Sequence, residues 1–412
     1  MFEIFERLSQ SLPNLTSLFV QLPFYDVNLY NKLIQQEVVN YDKTTKTFEL
    51  PTNRLFFLVK TFITIDDVGF TPYKEPKTIW KKIGDYDFKK ATPFPYQREG
   101  IEYGLNHDGW LLLDDCGLGK SLQMIYLAQL LHEREGLEHC LIICGVNGLK
   151  YNWAGEIAKF TDLSYRILGR RTNSRGKQVV ADIDTRLEEL KQPLDEFFII
   201  TNLETLQKRI TPSKSKTTIG KKVDKKKLKP AFVEAFNKSK NKFDMIVLDE
   251  AHKCKDSESL AGSSLLKLKS KRNIALTGTL IVNNPENAYV PLKWTGNLNC
   301  TKTMFNKMYN VYGGFGGHQV IGYKNLDLLQ EHIASCSLRR LKEEVLPQLP
   351  KKIYKTEYVE LLPKQKQLYD EVEQAIAQEL DLLPNKQKMT IQQEMVMNMR
   401  LRQITAYPGI LS

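Results

Sequence analysis

Short apolar runs alternate with longer amphipathic ones through the middle of this chain. Trp110–Leu113, Leu141–Cys144, Phe197–Thr201, Met245–Leu248 and Ile274–Leu276 are apolar almost throughout. The stretches between them, such as Leu122–His132, carry apolar residues at helical spacing. Continuous apolar strands separated by helices predict an α/β fold with a parallel sheet covered by helices on both faces. The first 90 residues are patterned differently. Phe2–Leu12 reads as a helix, Glu37–Tyr41 and Thr47–Leu50 as a hairpin, and Leu55–Ile65 as a further strand. They predict a small α+β accessory domain over 1–90, followed by the α/β lobe over 91–350. Pro363–Leu382 and Thr390–Ile404 read as two helices in a closing helical segment, 351–412, with Pro363 at a helix start.

Charge and composition narrow the picture. No apolar run approaches the roughly 20 residues a bilayer span needs, and the opening M-F-E-I-F-E-R-L is acidic and amphipathic, unlike a signal peptide. No membrane partner is expected. The cysteines at 116, 140, 144, 254, 300 and 336 are scattered without a zinc-like spacing, which predicts reduced core thiols. Net charge is +11, and Lys208–Pro230 holds ten Lys/Arg against one Asp. That run suits a solvated loop, a contact to a phosphate backbone, or both. Its candidate contacts are Lys221, Lys222, Lys225, Lys226 and Lys227.

Candidate chemistry centres on W-L-L-L-D-D-C-G-L-G-K-S, Trp110–Ser121. A strand leads into a glycine turn and then a helix, the arrangement of a phosphate cradle. Gly117 and Gly119 allow backbone N–H groups to approach phosphate oxygens, Lys120 is placed to reach the β/γ-phosphates, and the Ser121 hydroxyl to hold Mg²⁺. Asp114 stands where the strict pattern has its first glycine, and G-L-G-K alone fits an ordinary turn equally well. A second element, I-V-L-D-E-A-H, follows about 130 residues later. There Asp249 can hold Mg²⁺ and Glu250 can orient and deprotonate a water, as phosphoryl transfer requires. Thr277, Gly278 and Thr279 form a turn past a third strand. Gln97, upstream, has the donor and acceptor to read an adenine edge. Lys120, Asp249 and Thr277 all fall just beyond strand ends, where open parallel sheets bind ligands.

The order and spacing of these pieces, from about Pro93 to Leu411, resemble the Swi/Snf-type ATPases of helicase superfamily two. P-Y-Q-R-E-G-I looks like the adenine-reading motif, D-D-C-G-L-G-K-S like D-E-M-G-L-G-K-T, D-E-A-H-K-C-K-D like D-E-A-H-R-I-K-N, and L-T-G-T-L-I-V-N-N like L-T-G-T-P-I-Q-N-N. L-I-I-C-G-V-N-G-L-K-Y-N-W-A-G-E-I and I-I-T-N-L-E-T-L resemble segments with which the family touches the DNA backbone. S-L-R-R-L-K-E-E-V-L-P-Q-L-P-K-K resembles the segment leaving the first lobe. Y-K-N-L-D-L-L-Q is similar to the annealing-helicase branch. The resemblance implies a RecA-like lobe in which ATP is bound by Tyr96, Gln97 and Arg98 together with the loop from Asp115, Cys116, Gly117 and Leu118 to Gly119, Lys120 and Ser121. It implies Mg²⁺ on Ser121 and Asp249, coupling through His252, Thr277, Gly278 and Thr279, and DNA contacts from Asn147, Lys150, Trp153, Asn202, Thr279 and Asn283.

Asp114 is normal for that family. Gly145 and Leu280 replace prolines, Ser121 replaces threonine, and Cys116 replaces methionine, a change expected to concern packing. R-L-R-Q-I-T-A-Y-P-G-I-L resembles the run that precedes the second lobe. That lobe, needed for efficient turnover, is therefore expected in cis in a longer protein, or in trans if the protein is split. The resulting expectation is a monomeric ATP-binding motor lobe that works on double-stranded DNA. A strand-separating helicase on single-stranded nucleic acid, or a non-catalytic nucleotide-gated DNA-binding module, are the alternatives. The lysine-rich composition suits a bacterial or phage-infected cytoplasm. The basic run equally suits a nuclear address.

Overall fold

The computed structural model describes residues 2–21, 30, 33, 39–51, 68–71, 80–172, 178–208, 230–348, 350, 355–381 and 391–406. At the N-terminus, β1 (Phe2–Leu8), β2 (Thr16–Gln21), β3 (Asn40–Asp42), β4 (Thr47–Pro51) and β5 (Val68–Thr71) form one sheet in the order β3-β4-β2-β1-β5. The hairpin of β3 and β4 follows the alternation in the sequence. The helix expected over Phe2–Leu12 is instead a strand, paired antiparallel with β2 from Glu3↔Gln21 to Leu8↔Thr16. In so short a segment Phe2, Ile4, Phe5 and Leu8 fit either period, and the tertiary partner decides. Leu55–Ile65 and the lysines at 221, 222, 225, 226 and 227 lie outside the described residues.

The apolar runs become β6 (Gly109–Leu112), β7 (His139–Cys144), β11 (Phe198–Asn202), β12 (Phe243–Asp249) and β13 (Arg272–Leu276). Two edge strands join them, β8 (Tyr165–Ile167) and β16 (Ser337–Leu338). The seven-stranded order is β16-β6-β13-β12-β7-β11-β8, and all its described pairings are parallel. Short ribbons, β9 (Arg170–Thr172) with β10 (Gln178–Val180) and β14 (Asn310–Gly313) with β15 (Gln319–Tyr323), lie outside it. Leu141 and Ile143 pack in one core, and Cys140, Ile142 and Cys144 in another; Ile246 and Leu248 divide from Met245 and Val247 in the same way. Both faces of the sheet are thus dry, which is why its strands show no polar alternation.

Three helices position the site: α1 (Pro95–Asn106), α2 (Lys120–Glu135) and α3 (Leu149–Phe160). A Cβ placed on Gly104 of α1 would meet Leu127 Cδ2 of α2 at 2.4 Å, and one on Gly100 would meet Gln123 Oε1 at 1.9 Å. Small residues on one face therefore let the two helices close up. The sheet of 1–90 does not stand apart from the lobe: Met1–Pro347 is one compact unit. Leu12 and Val39 share a core with Trp294 and Leu298, and the Asn14 amide donates to Asn297 Oδ1 at 2.8 Å. Gln348–Ser412 forms a second unit. In it α4 (Pro363–Asp381) lies against α5 (Ile391–Ala406), and the Gln365 amide donates to the Ile404 carbonyl at 3.4 Å.

Candidate nucleotide site

The loop from Asp114 to Gly119 joins the end of β6 to the first turn of α2. Gly117 and Gly119 take φ of 85° and 73°, left-handed values that glycine adopts without strain. Among the described residues, no backbone N–H of Gly117, Gly119, Lys120 or Ser121 donates to another backbone group. The helix start has no side-chain cap. A row of free N–H groups at the positive end of a sixteen-residue helix has the form of an anion cradle. Lys120 Nζ donates to the carbonyls of Asp114 at 2.8 Å and Asp115 at 3.2 Å, which sets the ammonium at the mouth of the loop.

β12 delivers Asp249 and Glu250 beside that loop. The Glu250 N–H donates to Asp249 Oδ1, and the Trp153 indole N–H to Asp249 Oδ2, both at 2.9 Å. Burial raises the Asp249 pKa above the usual carboxylate value, and the like charge of Glu250 adds to that. Trp153, the Glu250 N–H and the Lys120 charge pull it back. Glu250 takes φ 53°, ψ 50°, and its Cβ would lie 2.5 Å from a Cβ added to Gly145. The glycine that replaces the family's proline therefore makes room for the Glu250 side chain.

From Glu250 a chain of contacts runs to the Thr-Gly-Thr turn. His252 Nδ1 lies 3.2 Å from Glu250 Oε2 and 3.1 Å from Thr277 Oγ1. The Thr277 hydroxyl donates to the Thr279 carbonyl at 3.1 Å and accepts the Thr279 N–H at 3.2 Å. The turn also abuts the phosphate loop, since a Cβ on Gly278 would stand 3.2 Å from Cys116 Sγ. The four coupling residues expected from sequence thus form one connected set.

Two expectations for the ATP-binding residues are refined. The Gln97 amide N–H₂ donates to the Leu118 carbonyl at 3.2 Å, and its oxygen accepts the Phe94 N–H at 3.0 Å. The side chain braces the phosphate loop, and its buried amide is already engaged there. Tyr96 is buried beside it, and Arg98 reaches outward to the Gly84 carbonyl at 2.8 Å. Cys116 is the exposed cysteine; the other five are buried as expected. Its thiol lies on the open loop instead of packing as a core side chain.

Three residues expected to contact DNA are buried in this structure. Trp153 is 2% exposed and spends its N–H on Asp249. Lys150 is 1% exposed, its Nζ has no hydrogen-bond partner, and burial with Arg186 nearby lowers its pKa. Asn202 is 2% exposed, its oxygen accepting from Arg186 at 3.1 Å and its amide donating to Asn147 at 3.1 Å. Asn147, Thr279 and Asn283 are at the surface.

Sequence reasoning missed Arg340. Its guanidinium grips the buried Asp114 carboxylate with two bonds, of 2.9 and 2.7 Å, and also bonds Gln123 Oε1 and the Tyr96 carbonyl. The Asp115 N–H donates to the Arg340 carbonyl at 3.1 Å, and the Lys342 N–H to Asp115 Oδ2 at 3.1 Å. The segment leaving the lobe therefore buttresses the phosphate loop. The pair of adjacent arginines in S-L-R-R-L-K was the available signal.

A parallel sheet of this order, with a phosphate loop, an Asp-Glu pair and a Thr-Gly-Thr turn at one end, defines a P-loop nucleotide-binding lobe of the RecA-like type. Residues 94–410 match the SNF2-related domain, and the chain belongs to that family of helicase-type ATPase cores. It is similar to the DNA annealing helicase and endonuclease ZRANB3 of Bos taurus, at 29% identity over 65% of this chain and 22% of that protein. It is also similar to an uncharacterized ATP-dependent helicase of Mycoplasma pneumoniae, at 26% over 78% and 27%. The DNA repair and recombination protein RAD54 of Oryza sativa subsp. japonica matches at 26% over 67% and 28%. The chain thus spans between 22% and 28% of the length of these relatives. A solved Sulfolobus solfataricus SWI2/SNF2 ATPase core in complex with dsDNA aligns at 24% identity over 78% of this chain and 60% of that one, with a TM-score of 0.43. Among the described residues no helix is long and apolar enough to cross a membrane.

Proposed function

We propose that this chain is the first motor lobe of a DNA-dependent ATPase that translocates on double-stranded DNA and remodels DNA or protein–DNA complexes. One observation carries the reading. Lys120, Ser121, Asp249 and Glu250 meet at one end of the sheet, and Glu250 is tied through His252 and Thr277 to the exposed Thr279. Bound ATP with Mg²⁺ would supply the transferable phosphoryl group and the cation that neutralises it. The free N–H groups of the loop would hold the phosphates, and Lys120 would turn from the Asp114 and Asp115 carbonyls towards them. Ser121 and Asp249 would hold the cation. Glu250, partly exposed and paired with His252, would orient a water and take its proton.

Asn147, Thr279 and Asn283, at the surface, would follow a nucleic-acid backbone, and so would the lysine run. Phosphate contacts of this kind favour no particular sequence. The relatives, a DNA annealing helicase and endonuclease and a DNA repair and recombination protein, support DNA as the partner. A second RecA-like lobe, in cis or in trans, would close the site and complete turnover.

The test compares ATP hydrolysis on duplex DNA, single-stranded DNA and RNA by this chain joined to a second lobe. Duplex DNA should stimulate most, and Lys120→Ala should abolish the stimulation. A preference for RNA or single strands would replace this reading with a strand-separating helicase. Nucleotide-dependent DNA binding without any turnover would replace it with a non-catalytic module.

A further inference from the structure

Trp153 and Glu156 lie three residues apart on α3, so their side chains share one face of that helix. Trp153 donates its indole N–H to Asp249 Oδ2 at 2.9 Å. Glu156, half-buried, stands beside the Ser121 hydroxyl and the Asp249 charge. One helical face therefore bonds Asp249 directly and stands beside Ser121, the two side chains assigned above to the cation. We propose that Trp153 and Glu156 are positioning residues for the Mg²⁺ site, an inference that rests on that assignment of Ser121 and Asp249.

A carboxylate rotates freely about its last bond unless donors pin it. Asp249 has one N–H on each oxygen, from Trp153 and from the Glu250 backbone, which fixes the carboxylate plane and leaves a lone pair on each oxygen for a metal. Ser121 has a rotating hydroxyl. Glu156, when ionised, can only accept, so a bond from the Ser121 hydroxyl would draw its hydrogen towards Glu156 and turn the oxygen lone pairs the other way. Outer partners of this kind orient metal ligands in many sites, and their loss weakens metal binding by about 10- to 100-fold. Packing alone would explain the burial of Trp153. It would not explain why the one polar atom of that ring meets the one carboxylate assigned to metal.

The experiment titrates Mg²⁺ into the full chain bound to a fluorescent N-methylanthraniloyl ATP analogue. Trp153→Phe keeps the ring and removes the N–H. Glu156→Ala removes the acceptor for Ser121, and Glu156→Gln restores one. Trp153→Phe and Glu156→Ala should each move the Mg²⁺ midpoint upward by about 10-fold or more. Affinity for the analogue in EDTA should stay at the wild-type value, and Glu156→Gln should return towards the wild-type midpoint. Should Trp153→Phe fail to fold, the two Glu156 variants carry the same test from a partly exposed position. Midpoints that coincide with wild type overturn the proposal. So does an equal loss of affinity in EDTA, which marks a merely structural role. A wild-type chain that binds the analogue with no response to Mg²⁺ overturns the cation assignment itself, and is told apart because it needs no variant.

Discussion

Glu250 holds a left-handed backbone conformation that costs a non-glycine residue about 1–3 kcal/mol, and the extended contacts around it must offset that. Replacing Glu250 with Gln leaves the backbone and the shape unchanged and removes the base proposed above. In the two-lobe protein, DNA-stimulated hydrolysis should then fall by at least ~100-fold while nucleotide affinity persists, as single-turnover and binding assays would show. Cys116 offers a second probe. Its thiol is exposed on the phosphate loop and the other cysteines are buried. A maleimide should therefore label Cys116 first and block nucleotide binding, and ATP should protect it; labelling that ATP leaves unchanged would show the loop is not where nucleotide sits. His332 gives a pH prediction. Its Nε2 lies 2.7 Å from the Asn297 carbonyl, its Nδ1 is buried without a partner, and burial lowers its pKa to about 4. Unfolding restores the ordinary value near 6.5, so the unfolded state binds the proton more tightly. The contribution is complete above about pH 6.5 and is lost as pH falls towards 4, a difference of roughly 3 kcal/mol. Denaturation midpoints measured from pH 7.5 to 4.5 should fall less steeply for His332→Gln than for wild type.

At the scale of elements, the central strands were legible because both faces of the sheet are buried, which leaves runs such as Leu141–Cys144 apolar at every position. The edge strands β8 and β16 were not, because three- and two-residue pairings leave no pattern of their own. The same division runs through the site. Lys120, Asp249 and Glu250 stood out because each follows a strand at a telling spacing. The burial of Trp153, Lys150 and Asn202 was not legible, because a motif gives residue types in order and says nothing of which side chain turns inward. Arg340 was missed because its role exists only through contact with Asp114, 226 residues away. The contact of α1 with α2 is where an element-level change should tell. Gly104 faces Leu127 with no room for a methyl group. Gly104→Ala should lower stability by about 1–3 kcal/mol through overpacking. Because the same two helices carry Gln97 and Lys120, it should also weaken nucleotide binding, which the fluorescent-analogue assay would detect. Full stability in a denaturant titration would contradict the close packing.

For the whole molecule, the decisive quantity is how its charge is spread. The net charge of +11 is not evenly distributed, since the 23 residues from Lys208 to Pro230 carry +9 of it. Elsewhere positive and negative groups nearly cancel, and many are paired locally, as Arg272 and Lys81 are with Glu135. A segment so basic, set between β11 and β12 in the lobe that carries the candidate nucleotide site, has the charge to neutralise several backbone phosphates. Each phosphate contact on duplex DNA adds about 0.9 to the slope of log affinity against log salt. Changing Lys221, Lys222, Lys225, Lys226 and Lys227 to Gln should therefore reduce that slope by up to about 4.5 if all five make contact, and weaken binding equally for unrelated sequences. Nucleotide affinity without DNA should not change, because Lys120 and the loop donors are untouched. If the slope and the affinity match wild type, the run is a solvated loop, and duplex binding must rest on the surface around Asn147, Thr279 and Asn283. Unequal effects on different sequences would mean instead that these lysines read bases, which a motor that tracks a backbone does not require.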